Sequence, residues 1–303
     1  MAFAAASALV SAESILALTP VAIKKTPVDP LSVLWSRILS SASIGWAVTS
    51  DTKLNHDEQV SAVALGGTNL LHVASSYESF RHLPAGQAMS LLYTFPLWNL
   101  VFGALFVGDR ISSRDYGLMA VATLGAVILN TDPAHAAMQK TPQGGDVNTP
   151  WGIAMGLLMA MTESGMHTLL HKMNWLDPAK AVWVVNSSAG AWLLVLVLLQ
   201  SAIFGSSSLP AWRGAPSDFL WLTVFHGVTL FSGYWLRFYA IPRLSTVTFS
   251  ILSYAGLIAA FVFGLLFLGE RPGWMSVLGI ALIIGSGALL QMGDSSNNEK
   301  SHN

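Results

Sequence analysis

The sequence contains no cysteine and few charged residues. Without cysteine, the chain has no disulfide bonds, no thiolate metal sites and no cysteine nucleophile. Charged residues make up 10% of the 303 positions, whereas soluble proteins carry about 25%, so too few charges are present to cover a soluble surface. The net charge is −1 and Lys and Arg form no run. The chain therefore lacks the positive surface that nucleic-acid binding requires, and no nucleic-acid partner is predicted.

Apolar residues dominate instead, at 53% of the chain. A helix needs about 20 mostly apolar residues to cross a lipid bilayer, and segments of this kind occur ten times. They cover residues 3–23, 31–50, 60–80, 85–107, 115–131, 151–171, 181–203, 218–240, 244–268 and 273–292. We therefore predict an all-α, multi-pass membrane protein with ten transmembrane helices and no cofactor. The cell membrane is the expected location, with an organellar membrane as the alternative.

The two halves of the chain repeat one another. The pattern D-P-x-x-x-x-W at residues 29–35 recurs at residues 177–183, an offset of 148 positions. The stretch FGALFVGDR at residues 102–110 recurs as FGLLFLGER at residues 263–271, an offset of 161 positions. One insertion of 13 residues before the eighth span accounts for the difference between the two offsets. The sequence therefore predicts two copies of a five-helix unit.

These copies divide the chain into four regions. The first repeat covers residues 1–131, a polar linker follows at 132–150, the second repeat covers 151–293, and 294–303 form a polar tail expected to be disordered. Because five is odd, the second repeat enters the membrane from the side opposite to the first. Inverted repeats of this kind build secondary transporters whose central site opens to each side in turn.

Several stretches resemble a known family. Residues 85–112 and 246–290 are similar to the fourth and fifth helices of each repeat in EamA-type transporters of the drug/metabolite transporter superfamily. The G-D/E-R ending of each is the closest match, and residues 21–37 resemble the family's first loop and second helix. The resemblance implies a ten-helix carrier with cytosolic termini, often dimeric, that exports or exchanges amino acids, sugars, nucleotides or related metabolites. The family's proline in the ninth helix is kept in the fourth as Pro96 but replaced by Leu257, so the substrate class is not carried over.

The sixth predicted span carries ionisable residues on one face. Glu163, His167 and His171 follow one another at intervals of four residues. At membrane depth such groups face the bundle interior or a water-filled path. Glu163 and His167 can relay protons, or hold a divalent cation together with ligands from another helix. The structural alternative is a hydrogen bond from Glu163 to a neighbouring helix, with His171 at the interface.

The third and eighth spans contribute further polar candidates. Asn69, His72, Ser76 and Ser79 form a stripe along the third span, and His226 stands alone in the eighth. Stripes of this type are more often interhelical hydrogen bonds than binding sites. Asn69, His72 and His226 are nevertheless kept as candidates for substrate contact.

The remaining candidates are an acid, an arginine and two tyrosines. Glu13 lies in the middle of the first span and requires a partner or water. Arg37 and Arg237 are each able to clamp a carboxylate or phosphate, or to reach the membrane interface from near a helix end, and the interface is the preferred interpretation for Arg237. Tyr93 and Tyr254 hold equivalent positions in the two repeats, where they can flank a central cavity, although packing against neighbouring helices is the preferred interpretation.

Glycines indicate close packing and helix ends. Gly108 and Gly269 precede Asp109-Arg110 and Glu270-Arg271, which is typical of helix C-caps. Small residues in the fifth and tenth spans suit contacts within the monomer or across a homodimer. These are Gly117, Gly125, Gly279 and Gly285.

Together these patterns favour a secondary transporter that moves a small solute across a bilayer by alternating access. The family resemblance implies a small metabolite such as an amino acid, a sugar or a nucleotide-like solute, without choosing between them. The chain has no G-x-x-x-x-G-K-[ST] loop for ATP, so energy is expected from exchange or from protons acting on Glu163 or Glu13. A divalent metal cation is the alternative substrate. An intramembrane enzyme is a third hypothesis, disfavoured because neither H-E-x-x-H nor G-x-S-x-G occurs.

Overall fold

The computed structural model describes residues 2–26, 28–49, 53–102, 105–106, 112–130, 148–172, 177–204, 214–244, 246–271 and 273–301. Within them the chain is helical and contains no strand. The helices are α1 (Ala2–Leu16), α2 (Thr19–Lys25), α3 (Pro30–Val48), α4 (His56–His82), α5 (Ala85–Leu92), α6 (Phe95–Phe102), α7 (Ser113–Asn130), α8 (Thr149–Lys172), α9 (Pro178–Phe204), α10 (Pro216–Ala240), α11 (Thr246–Phe263) and α12 (Trp274–Ser301). A 3₁₀ turn at Ile241–Arg243 follows α10, and a π-helical turn at Gly264–Leu268 follows α11. The last turns of α12 include residues 294–301, for which the sequence predicts disorder.

Four helical stretches in the described part of the chain are long and apolar enough to cross a membrane. They are Phe3–Lys25, Leu31–Val48, Pro178–Phe204 and Pro216–Arg243. Large apolar side chains point outward from them, among them Leu194, Leu196 and Leu198 of α9. Such a surface is suited to lipid rather than to water. The all-helical class is therefore confirmed, while the count of ten spans and their inverted arrangement stay predictions.

The repeated D-P pattern begins a helix in each half. Asp29 precedes α3, and one of its oxygens accepts a hydrogen bond of 2.9 Å from the backbone N–H of Ser32. Asp177 precedes α9 and accepts a bond of 3.0 Å from the N–H of Ala179. The proline that follows each aspartate is compatible with the first helical turn, because the backbone N–H groups of that turn have no carbonyl partner within the helix.

Helix packing brings the two halves of the chain together. α3 packs against α9 and α10, α4 against α8 and α9, α1 against α10 and α11, and α7 against α12. Glycine permits the closest approaches. A Cβ atom on Gly45 of α3 would lie 2.9 Å from the backbone nitrogen of Trp183 in α9, and one on Gly66 of α4 would collide with Ser188.

Two of the predicted spans are broken helices. The span at residues 3–23 divides into α1 and α2, and the span at residues 85–107 is interrupted between α5 and α6. Pro20 and Pro96 explain the breaks, because proline has no N–H to donate to the carbonyl four residues earlier. α11 holds Leu257 at the position that corresponds to Pro96 and is continuous. The two breaks position the side chains described below.

Candidate functional site

A polar cavity lies between helices of both halves of the chain. It is lined by α1 to α5, by Tyr93 at the α5–α6 break, and by α8 and α10, and its volume of about 40 Å³ is large enough for a few water molecules. The polar side chains of its wall are Glu13, Thr19, Arg37, His72, Ser76, Tyr93, Glu163, Tyr234 and Arg237, and the apolar ones are Leu16, Phe80, Met89, Leu92, Met159 and Leu230.

Arg237 connects the two buried acids of this cavity. Its Nε lies 3.0 Å from Glu13 Oε1 on α1, and its Nη1 forms an ion pair with Glu163 Oε1 on α8. The three side chains are almost fully enclosed, since Glu13, Glu163 and Arg237 are 1%, 0% and 3% exposed. Buried charges are tolerated when they are paired in this way. The cluster joins helices that are distant in sequence.

Tyr93 completes the surroundings of Glu13. The Tyr93 hydroxyl donates a hydrogen bond of 2.6 Å to Glu13 Oε2, and the residue sits at the α5–α6 break. Its ring centroid is 6.1 Å from that of Tyr254, its partner in the repeat. Gly256 faces this bond, because a Cβ there would collide with the Tyr93 hydroxyl and lie 3.0 Å from Glu13 Oε2. Only a residue without a side chain fits at this point.

Two histidines, His72 and His167, lie next to the Glu163 carboxylate. His72 donates from Nδ1 to the backbone oxygen of Met159 at 3.1 Å, and the same nitrogen is 3.5 Å from Glu163 Oε2. His167 places Nε2 3.4 Å from Glu163 Oε1. Its ring lies edge-on between Phe95 and Phe249, with centroids 5.1 and 5.2 Å away. Glu163 is therefore approached by an arginine and two histidines.

Arg37 forms a second polar centre of the cavity. Its Nη2 donates a hydrogen bond of 2.9 Å to the Tyr234 hydroxyl, and its guanidinium carbon is 5.3 Å from the centre of the Tyr234 ring. Arg37 is only 4% exposed. The predicted role of Arg37 as a clamp for an anion remains a prediction, but the side chain lies in the cavity wall as that role requires.

Other candidates lie outside the cavity wall. Asn69 is buried, and its side-chain nitrogen has no hydrogen-bond partner among the described residues. His226 is fully buried and pairs through Nδ1 with the Ser36 hydroxyl at 2.9 Å. Tyr254 contacts Tyr93 behind the wall. The side chain of His171 is outside the described residues.

The prediction for Arg237 is wrong. Instead of reaching the membrane interface, Arg237 points into the bundle between Glu13 and Glu163. Tyr234, which accepts the hydrogen bond from Arg37, was not among the predicted site residues. The two acids within the predicted spans could have indicated an inward-facing Arg237, because buried carboxylates require a cation and few cations occur within the spans.

The surroundings of Glu163 do not favour a metal site. The described residues contain no group of three His, Asp or Glu side chains arranged to hold a metal ion. The Arg237 guanidinium occupies one side of Glu163 and repels a second cation. The alternative of metal transport therefore gains no support from this arrangement.

Glu270 contacts the end of α2 and the start of α5. Gly269 ends the π-helical turn in the left-handed conformation (φ 68°), as expected for a helix C-cap. The next residue turns back, and its oxygens accept bonds of 2.9 and 3.0 Å from the N–H of Ala85 at the start of α5. Lys24 at the end of α2 lies 3.6 Å from Glu270 Oε1. Glu270 therefore joins α2 and α5, the short segments next to the two helix breaks.

Comparison with known proteins identifies the family. The sequence profile of the EamA-like transporter family matches residues 3–131 and 150–292. A probable terminal-alkyne amino-acid exporter of Streptantibioticus cattleyicolor is 26% identical over 203 residues, which cover 66% of this chain and 62% of that protein. The pseudopaline exporter CntI of Pseudomonas aeruginosa is 22% identical over 219 residues, which cover 72% of this chain and 70% of that protein.

A solved crystal structure of another protein supports the fold. It covers 95% of both chains with a TM-score of 0.62 at 16% sequence identity. Because the family profile matches most of the chain, the resemblance seen in the sequence is confirmed. The protein is a multi-pass membrane protein and belongs to the EamA-like transporter family.

Proposed function

We propose that this protein is a secondary transporter that carries a small polar metabolite out of the cell or compartment through the cavity around Arg237. The two exporters similar to this chain support the direction of transport. The alignment with the amino-acid exporter spans less than two thirds of that protein, so its substrate is not transferred to this chain.

The observation that carries the proposal is the charged cluster inside the cavity. Burial removes Glu13, Glu163 and Arg237 from water, which costs free energy. Apolar side chains of similar volume would give the folded protein similar stability without this cost, so stability alone does not explain why charged residues are present here. Charged groups at membrane depth mark substrate and ion pathways. The cluster also lies between helices of both halves of the chain, where two-repeat transporters bind their substrates.

Helix packing supports a two-fold relation between the two repeats, which the odd number of helices per repeat would make an inverted one. α4 of the first half packs against α9, and the corresponding α10 of the second half packs against α3. α1 packs against α10, and the corresponding α8 packs against α4. Such reciprocal pairs are expected when two units are related by a pseudo-two-fold axis. Rocking of one unit against the other opens the cavity to each side in turn.

Glu13 and Glu163 are the groups proposed to couple transport to protons or to an exchanged solute. Each can be neutralised by a proton or by a positively charged group of a substrate. Arg237 contacts both acids, so neutralisation of one changes the interactions available to the other. This shared contact provides a physical route from ion binding to a change in helix packing.

The test uses purified protein reconstituted in vesicles. Amino acids, sugars and nucleotides are first screened for thermal stabilisation of the detergent-solubilised protein, since a ligand that binds the native state stabilises it. Stabilising compounds are then assayed for transport with and without a pH gradient. Loss of transport in Glu163→Gln and Glu13→Gln, with transport retained in Glu78→Gln, supports the proposal. Glu78 pairs with Arg81 near the end of α4 and is partly exposed, which makes it a matched control. Transport unchanged in both cavity variants would refute the role of the cluster.

A further inference from the structure

Glu270 links the second half of the chain to two short helices of the first half. Its carboxylate oxygens accept hydrogen bonds of 2.9 and 3.0 Å from the backbone N–H of Ala85 at the start of α5, and Oε1 lies 3.6 Å from Lys24 Nζ near the end of α2. Both helices line the cavity, α2 through Thr19 and α5 through Met89. One side chain therefore holds the ends of two segments of the cavity wall.

The backbone before Glu270 positions its carboxylate. Gly269 follows the π-helical turn in the left-handed conformation, and the Glu270 N–H donates a hydrogen bond of 3.0 Å to the Gly264 carbonyl. A Cβ atom on Gly264 would lie 2.7 Å from Glu270 Oε2, so a larger residue there would displace the carboxylate. π-Helical turns are frequent at functional sites, which favours a role for this contact beyond packing.

The cavity is too small for a metabolite in this conformation. Its volume of about 40 Å³ admits a few water molecules, and organic metabolites are larger. Part of the wall must therefore move before a solute can bind. α2 and α5 are separated from α1 and α6 by the two helix breaks, and a few residues between helical segments can act as a hinge.

The charges of the Glu270 contact can separate at lower cost than those inside the cavity. The side chains of Lys24 and Glu270 are 19% and 15% exposed, so both can reach water when they part. The ion pairs of Arg237 with Glu13 and Glu163 are fully enclosed, and breaking an enclosed pair leaves an uncompensated buried charge. Of these contacts between the two halves, the one at Glu270 is suited to break and form again.

We propose that Glu270, Lys24 and the Ala85 N–H form a latch that keeps the cavity closed at this end of the helix bundle. When the latch is released, α2 and α5 separate from the π-helical turn and the cavity becomes accessible from that end. This inference rests on the proposed transport function and adds the contact that controls access to the site.

Thiol labelling can measure this opening, because the chain contains no cysteine and an introduced one is the sole target. Ser76→Cys places a thiol of nearly unchanged size in the cavity wall. Ser286→Cys places one at a buried position of α12 outside that wall. A water-soluble methanethiosulfonate reagent is added to the full-length protein in detergent, and the labelling rate is followed by mass spectrometry. Both thiols should be labelled slowly when the latch is intact.

Glu270→Gln should raise the labelling rate of Ser76→Cys about two- to fivefold, the effect of losing a partly exposed ion pair. Glu270→Ala also removes the acceptor for the Ala85 N–H and should raise the rate at least about tenfold. Lys24→Gln combined with Glu270→Gln should match Glu270→Gln alone, because both substitutions remove the same interaction. Asp218→Asn is the matched control and should leave the rate unchanged, since Asp218 caps only its own helix.

Three results would overturn the latch. They are an unchanged labelling rate of Ser76→Cys in both Glu270 variants, an equal increase at Ser286→Cys, which indicates general loosening of the fold, and additive effects of Lys24→Gln and Glu270→Gln. If the Glu270 variants do not fold, Lys24→Gln alone gives the same comparison. Labelling requires no substrate, so its failure rejects the latch and leaves the transport function standing. Increased labelling in a protein that transports no solute would instead reject the transport function.

Discussion

Replacing Arg237 by glutamine should destabilise the folded protein more than any other change of a single charge in the cavity. The substitution removes the cation that Glu13 and Glu163 share and leaves two carboxylates buried, at 1% and 0% exposure, without it. Loss of one partner from a buried ion pair costs about 3–5 kcal/mol. Glu13→Gln is expected to cost less, because Glu163 still neutralises Arg237.

A double-mutant cycle isolates the interaction from other effects of the substitution. In Arg237→Gln combined with Glu13→Gln, only one buried acid lacks the cation, so the double variant should be more stable than the sum of the two single changes predicts. Coupling energies between residues in contact are about 0.5–3 kcal/mol. Unfolding in detergent is followed by tryptophan fluorescence, and Arg114→Gln on α7 serves as the exposed control.

Two outcomes would contradict this reasoning. If Arg237→Gln unfolds at the wild-type denaturant concentration, the guanidinium does not stabilise the cluster. If the effects of Arg237→Gln and Glu13→Gln are additive, the two side chains do not interact in the folded protein. In either case the cluster could not transmit a change at one acid to the other.

Two further substitutions test the contact of α11 with Tyr93 and the contact of Glu270 with the start of α5. A methyl group at Gly256 would collide with the Tyr93 hydroxyl, so Gly256→Ala should lower ligand affinity at least about tenfold by breaking a charged hydrogen bond, as measured by titration calorimetry. Gly285→Ala, where no atom lies within 4 Å of the added methyl, should leave affinity unchanged, and equal behaviour of the two variants would refute the packing argument. Glu270→Gln removes the charge that faces Lys24 and weakens the cap of α5, which should lower the free energy of unfolding by about 0.5–1 kcal/mol in a denaturant titration. An unchanged midpoint would show that this carboxylate does not hold the two segments.

Local features of the fold could be predicted from the sequence because their causes are local. Apolar length identified the helical segments, and the aspartate-proline pairs that revealed the repeat lie at the starts of α3 and α9. The breaks at Pro20 and Pro96 were also encoded locally, but each proline lies within an apolar stretch long enough to be read as one span. A membrane helix can continue through proline when neighbouring groups satisfy the freed carbonyl, so tertiary context decides between a kink and a break.

The pairing of the charged residues could not be predicted from local features of the sequence. Glu13, Glu163 and Arg237 were each recognised as ionisable groups within apolar spans, but their pairing depends on the contacts of α1 and α8 with α10. Position along a helix suggested an interfacial location for Arg237. Position along one helix does not determine the energy of a buried arginine, because that energy is set by the acids that adjacent helices present to it.

The break between α5 and α6 introduces an asymmetry that bears on how the cavity opens. Tyr93 and Tyr254 hold equivalent positions and lie in contact, yet the backbone is interrupted at Tyr93 and continuous through Tyr254. The interrupted side also carries the hydrogen bond to Glu13. The two repeats therefore differ at this point, because the charge of Glu13 acts directly on the interrupted segment of the first half, where proline has removed a helical hydrogen bond.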